Sequence, residues 1–344
     1  MLITSNLKKY KVSFFKKKLS IKKIENSIQI VDKNIFYIYK KLFKKKNKII
    51  LIDAKEKQKD FLYISNVIKR ILELDVKKNT TIIVVGGGII QDISCFISSI
   101  LFRGLKWVYY PTTLLSQADS CIGSKSSINF QFKKNLIGTF NPPDSIYINF
   151  NFLNSLYKKD IHSGIGEILK CAIIKNKNKF IKDKDRYIKL ILENKGINNF
   201  IVDSLLTKKK IIELDEFDKG PRKIMNYGHT FGHALEAVTK YKIPHGIAIT
   251  IGMDLANYIS KELRFITNVD FNKIHEVLFL NYKNFHKFKI NLLDYFNKLS
   301  NDKKNTEINF FNCILLKDNN LILKKMALDN RLKTYIKNFF KMIN

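Results

Sequence analysis

Residues 81–92 read Thr-Ile-Ile-Val-Val-Gly-Gly-Gly-Ile-Ile-Gln-Asp: a short run of β-branched side chains that meets three glycines and then an apolar pattern able to start a helix. β-branched residues favour extended backbone, and a strand apolar on both faces is one covered on both sides. Glycines at its end let the backbone approach a phosphate closely, and the N-terminus of the helix that follows favours negative charge. The spacing is not the Gly-x-Gly-x-x-Gly dinucleotide fingerprint. A tight strand-to-helix turn with no ligand also needs glycine, so on this segment alone both readings stay open.

Outward from this stretch, residues 27–31, 49–52 and 107–110 have the same buried-strand character, and 61–74 carries apolar residues at helical spacing. Strands alternating with helices imply a parallel sheet with helices on both faces. Beyond about residue 155 the strand signals fade, and 164–174, 230–239 and 246–263 read as helices. The expected fold is therefore α/β: a Rossmann-like parallel-sheet domain over residues 1–154, then an all-helical domain over 155–344. Two domains also suit a chain of 344 residues. Lys/Asn-rich patches near 175–185 and 299–309 read as loops.

The formal net charge is +32, from 62 Lys and Arg against 30 Asp and Glu. Only six of the basic residues are Arg, and the lysines are spread from end to end among Asn, Ile, Phe and Tyr, residues that share AT-rich codons. A nucleic-acid reader concentrates Arg for bidentate contacts and clusters its charge, so compositional drift is the favoured reading and no nucleic-acid partner is expected. Cys95, Cys121, Cys171 and Cys313 form no CxxC pair, which argues against a disulfide framework or a cysteine zinc site and fits a reducing cytoplasm. Lysines break the apolar residues of the N-terminus, unlike a signal peptide. The most apolar stretch, 81–102, is too interrupted to span a bilayer. A soluble cytoplasmic protein with no membrane partner is expected.

Small, hydroxylated and charged residues interleave over 111–138, including Asp119, Lys125, Lys134 and Asn135, with little hydrophobic periodicity. A loop of that length in a compact domain is usually functional. Lys125 and Lys134 are suited to donate to phosphate or carboxylate oxygens. Further on, Asn226-Tyr-Gly-His229-Thr-Phe-Gly-His233-Ala-Leu-Glu236 sets two histidines four apart on one helix face, and His245 follows Pro244. Three of the six histidines thus fall within seventeen residues. Histidines near acidic groups, without cysteine, suit a catalytic zinc with open positions. Glu167 is the best acidic candidate, although by pattern alone an ordinary i,i+3 pair with Lys170 is the favoured reading.

Taken together these segments resemble the 3-dehydroquinate synthase family of sugar phosphate cyclases. The resemblance runs from about residue 27 to 305 and rests on an ordered series: GGGIIQD, FRG, PTTLLSQADS, GSKSSIN, KNLIGTF, SGIGEILK, DEFDKGPRKIMNYGHTFGHALE and HGIAITIGM. It implies an NAD- and zinc-dependent lyase (cobalt being able to replace zinc) that converts 3-deoxy-D-arabino-heptulosonate 7-phosphate to 3-dehydroquinate and phosphate in aromatic amino-acid biosynthesis. Carried over by position, the metal ligands are Glu167, His229 and His245. The cofactor set is Asp32, Asn34, Glu56, Lys59, Gly87, Gly88, Asp92, Thr112, Thr113 and Lys134. The substrate set is Asp119, Lys125, Asn135, Lys170, Lys208, Arg222, Asn226 and His233, with a lysine of the 302–304 segment. Arg103 resembles an arginine that reaches the phosphate from a neighbouring subunit, which implies a homodimer. The chain departs from the family pattern at Lys55, at Ser124, where glycine is common, and at Ile247. A different sugar phosphate cyclase, a metal-dependent NAD alcohol dehydrogenase and a basic nucleic-acid-binding module are the competing readings.

Overall fold

The strand ahead of the triple glycine is central in a seven-stranded sheet. In the computed structural model the described residues are 1–43, 48–131, 133–285, 288, 290–300 and 310–343. They divide into two units, one made of Met1–Tyr157 with Lys208–Phe217, the other of Lys158–Thr207 with Asp218–Asn344.

In the first unit the strands are β1 (Leu2–Thr4), β2 (Lys9–Phe15), β3 (Ser27–Asp32), β4 (Lys48–Ile52), β5 (Thr81–Gly86), β6 (Lys106–Pro111), β7 (Lys125–Phe130), β8 (Lys133–Phe140) and β9 (Ser145–Asn149). The sheet order is β1-β2-β9-β6-β5-β3-β4, parallel throughout except for β1 against β2. Helices α1 (Lys33–Ile38), α2 (Phe61–Leu72) and α3 (Gly88–Ile100) connect the strands as the alternating pattern predicts. Val31, Ile83, Val85, Val108 and Phe152 form part of the core beside the sheet. The chain steps from β3 out to β4 and back across β3 to β5, so the strand order reverses between β3 and β5. Ligands of open α/β sheets bind outside the carboxyl ends of strands at such a switch point. Asp32 ends β3, and Gly86 ends β5 in register with Pro111 at the end of β6.

Two sequence readings change here. The stretch 111–138 is not one long loop: Ser116–Ser120 forms a short helical turn, and β7 and β8 pair as an antiparallel hairpin. Its periodicity is hidden because Ile128 is buried while the polar positions between are used in hydrogen bonds to neighbouring turns. Strands β1, β2 and β9 are likewise present without a strong sequence signal, β1 and β2 lying at the sheet edge, where fewer positions need be apolar.

The second unit holds α4 (Lys158–Lys175), α5 (Lys177–Lys182), α6 (Lys184–Glu193), most of α7 (Ile197–Leu214), α8 (His229–Val238), α9 (His245–Glu262), α10 (Asn268–Tyr282), α11 (Leu292–Ser300) and α12 (Asn330–Ile343). The patch at 175–185, read as a loop, is helical. Asn176 caps α5 by accepting from the Lys179 amide, and lysine is itself a good helix former. The unit is helical as expected, with one addition, an antiparallel hairpin of β10 (Phe310–Lys317) and β11 (Asn320–Ala327). The patch at 299–309 falls almost wholly outside the described residues, as does the 302–304 segment.

Helix α9 is buried along almost its whole length and forms the axis of this unit. Its N-terminal turn meets α4 backbone to backbone: a Cβ on Gly166 would lie 2.1 Å from the Gly246 carbonyl oxygen, and one on Gly246 only 1.8 Å from that of Ser163. Only glycine permits this approach, and the two glycines are sequence neighbours of Glu167 and His245.

Candidate active site

Two constellations of the predicted residues form, one in each unit. In the first, Lys59 stands on a short turn, Glu56–Lys59, with its side chain buried. Its ammonium donates to Asp92 Oδ2 at 2.7 Å and to Asn135 Oδ1 at 3.0 Å. The Lys134 ammonium lies 3.3 Å from Glu56 Oε1, and the Asn129 amide donates to the same oxygen at 3.0 Å. Burial pushes the Asp92 carboxyl upward, with the charge of Lys59 opposing it. Asn135, expected among the substrate contacts, thus joins Lys59 and Asp92 of the cofactor set. Asp32 serves as N-cap of α1, accepting from the Asn34 amide at 2.9 Å. Gly87 precedes α3, and a Cβ there would meet Thr113 Cγ2 at 2.8 Å, whereas at Gly88 nothing nearer than Ser120 Oγ, 3.7 Å away, would be met. The Thr112 hydroxyl is buried with no hydrogen-bond partner.

Two members of the predicted substrate set pair with each other in this unit. The buried Lys208 ammonium donates to the Asp119 carbonyl at 2.7 Å and lies 3.2 Å from Asp119 Oδ1. Lys125 opens β7 and is exposed. Arg103 is exposed within a left-handed run, Phe102 (φ +50°), Arg103 (φ +62°) and Gly104 (φ +122°).

In the second unit Glu167, on α4, is 1% exposed. Lys170, one helical turn on, lies against its Oε2. Oε1 has no hydrogen-bond donor and instead faces two histidine nitrogens, His245 Nε2 at 3.6 Å and His229 Nε2 at 4.0 Å. The two oxygens of Glu167 thus have different surroundings, the Lys170 ammonium at Oε2 and the two imidazoles at Oε1. His229 starts α8 after Gly228 (φ +77°), and its Nδ1 is 3.1 Å from the Tyr227 carbonyl. A carbonyl can only accept, so the proton sits on Nδ1 and the Nε2 lone pair is left for a metal. Burial depresses His229 well below the usual histidine range, helped by Lys170, His233 and His245, so the ring is neutral near pH 7. The Nδ1 of His245 lies 3.3 Å from both oxygens of Glu236. Burial alone would lower His245, yet Glu236 and then Glu167 carry its pKa upward.

His233 joins the group, and ligand atoms of His229, His233 and His245 all lie within 4.8 Å of one another. Glu167 with His229 and His245 is the better set, because the two histidines have their second nitrogens held by acceptors and the carboxylate oxygen is otherwise donorless. A tetrahedral zinc with bonds of about 2.0–2.1 Å has ligand edges of about 3.3 Å, close to the 3.6 and 4.0 Å seen. Arg222 is buried in the turn Pro221–Asn226, and Asn226 closes that turn ahead of α8. Glu236 was given no role in the sequence reading. Its place three residues after His233, on the same face, was the available signal.

Two family profiles cover most of the chain: "3-dehydroquinate synthase N-terminal" matches residues 49–163 and "3-dehydroquinate synthase C-terminal" residues 164–305. A 3-dehydroquinate synthase of Pelagibacter ubique is 39% identical over 283 residues, covering 80% of this chain and 76% of that protein. That of Helicobacter pylori is 34% identical over 272 residues, covering 79% and 78%. The chain belongs to the 3-dehydroquinate synthase family. Among solved structures, 2-epi-5-epi-valiolone synthase from Streptomyces hygroscopicus with NAD+ and Zn2+ bound shares the fold, at TM-score 0.82 and 18% identity over 97% of each chain. The fold class expected from the sequence is thereby borne out, and the chain is an enzyme of the 3-dehydroquinate synthase family. No helix among the described residues is long and apolar enough to cross a membrane.

Proposed function

We propose that the chain carries out its family's reaction, converting 3-deoxy-D-arabino-heptulosonate 7-phosphate to 3-dehydroquinate and inorganic phosphate, with NAD and a divalent metal, zinc or alternatively cobalt. One observation carries this reading: the buried, donorless Oε1 of Glu167 faces two histidines whose other nitrogens are already occupied. That donor set fits a divalent cation with open positions, held by Glu167, His229 and His245. The NAD site fits at the carboxyl ends of β3 and β5, where Gly88 opens α3 with room beside it and Thr112 carries an unpartnered hydroxyl. Residues 1–154 then carry the dinucleotide, and 155–344 carry the metal and most substrate contacts.

When bound, NAD supplies a reversible hydride acceptor and the metal polarises substrate oxygens. The chain's own residues do the rest. Lys125, Lys208 and Arg222 hold the anionic groups of the substrate, and Asn226 orients its hydroxyls. Lys208 and Lys170 present fixed charge, because Asp119 and Glu167 hold their ammonium groups in place. His233, beside the two histidines of the metal set, serves as the proton donor and acceptor for ring opening and closure. Exposed Arg103, flanked by exposed Ile100 and Phe102, supports a homodimer in which it reaches the partner's substrate. Four free buried cysteines support a reducing, cytoplasmic setting.

The test is phosphate release from that heptulosonate phosphate with catalytic NAD. Release that needs NAD, accumulates no NADH, stops with chelator and returns with zinc supports the reading, as does dehydroquinate as product. Net NADH formation would favour a dehydrogenase, and turnover of other sugar phosphates alone would favour a different cyclase.

A further inference from the structure

The backbone just ahead of Lys125 is strained. Ser124 has φ +62°, and across it the Lys125 amide donates to the Gly123 carbonyl at 2.7 Å, closing a three-residue γ turn of the uncommon, left-handed type. For a residue with a Cβ that conformation costs about 1–3 kcal/mol and persists only when its surroundings over-determine it. Those surroundings are visible. The Gly123 amide donates to Tyr10 Oη at 3.2 Å, the Asn141 amide donates to the Ser124 carbonyl at 2.8 Å, and the Ser124 hydroxyl donates to Glu216 Oε1.

Glu216 is the centre of this arrangement. It is 3% exposed, and besides Ser124 it accepts from the Ser5 hydroxyl on Oε1 and from the Asn6 amide on Oε2, each at 2.6 Å. The next residue, Phe217, sets its ring edge-on to Phe140 with centroids 5.1 Å apart, and Phe140 is the register partner of Lys125 across the hairpin. Two successive side chains thus grip both strands where Lys125 leaves the sheet: Glu216 at the residue before it, Phe217 at the residue opposite. A buried carboxylate is expensive to desolvate and would not be spent on an exposed loop that could simply use glycine.

We propose that Glu216 is a positioning residue for the reaction: by fixing the strained Ser124 turn it aims Lys125 at the anionic substrate. The inference rests on Lys125 as a substrate contact, the reading given above. It assigns a purpose to serine at 124, where the hydroxyl gives Glu216 something to hold and so replaces the conformational freedom of glycine with a fixed bond.

The test compares Glu216→Ala, Ser124→Gly and the double variant, with Lys125→Ala as reference and Glu213→Gln as a structural comparator that loses only surface contacts of the same segment. Phosphate release, thermal melting and deuterium exchange at the Lys125 amide are read for each. Glu216→Ala is expected to lower kcat about 10²-fold, the cost of a misplacement near 1 Å, with a smaller change in KM. Its Lys125 amide should exchange at least about tenfold faster. Ser124→Gly relieves the strain, so the double variant should recover about tenfold in kcat over Glu216→Ala, while Glu213→Gln keeps kcat whatever its melting point. Wild-type kcat in folded Glu216→Ala, or a loss that Ser124→Gly leaves unrepaired in a folded double variant, overturns the positioning role. Full turnover by Lys125→Ala removes instead the reading on which it rests.

Discussion

Replacing Gly166 by alanine should loosen the metal site without touching a ligand. The added Cβ would sit 2.1 Å from the Gly246 carbonyl oxygen and 2.5 Å from Thr250 Oγ1, and the first of these is backbone, which cannot swing aside. An ordinary carbon–oxygen contact is near 3.3 Å, so α4 and α9 must separate by roughly 1 Å. Glu167 follows Gly166 and His245 precedes Gly246, so the separation acts directly on the 3.6 Å between Glu167 Oε1 and His245 Nε2. Opened to roughly 4.6 Å, that edge no longer suits a tetrahedral ion whose ligand edges are about 3.3 Å. Overpacking should cost about 1–3 kcal/mol in the metal-free protein. Zinc affinity, measured by competition with a chromophoric chelator, should fall about 10–100-fold, as for loss of a group that orients a ligand. Melting of the apo protein checks the first figure. Wild-type zinc affinity and melting in Gly166→Ala would refute the reasoning, because they would mean that the helix contact does not set the ligand spacing.

Three further outcomes are expected. His229→Ala should lose zinc and turnover together, whereas Lys125→Ala should lose turnover with full zinc content by atomic absorption. His275 is carried above the usual histidine range: burial opposes its charge, but its 2.7 Å bond to the fully buried Asp254 outweighs that. Since its folded pKa is raised, the stability it contributes is complete below about pH 6.5 and fades as pH rises through the folded value. His275→Gln should therefore cost on the order of 3 kcal/mol near pH 6 and clearly less near pH 9 by denaturant melts; an equal cost at both would contradict this. Burial pushes the thiols of Cys95, Cys121 and Cys313 to about 12, so in the native protein these three should resist a disulfide reagent at pH 8 until denaturant is added.

Much of this protein was legible in its residues alone. The parallel sheet could be read because both faces of β3, β5 and β6 are covered, which demands unbroken β-branched runs, and the glycines after β5 mark where the strand must turn into a helix. His229 and His233 could be placed on one face because helix periodicity is local. Tertiary structure decided what depends on residues far apart in the chain. By pattern alone Glu167 read as a partner of Lys170, until folding brought α4 against the start of α9, where Lys170 took one carboxylate oxygen and the histidines faced the other. The β7–β8 hairpin was hidden because its Asn129 side chain and Ser127 amide are satisfied by Glu56 and Asp92, 73 and 35 residues away. The role of Glu216 was invisible for the same reason: its partners at 5, 6 and 124 are long-range, and a buried carboxylate looks like any other glutamate until the groups that donate to it are known.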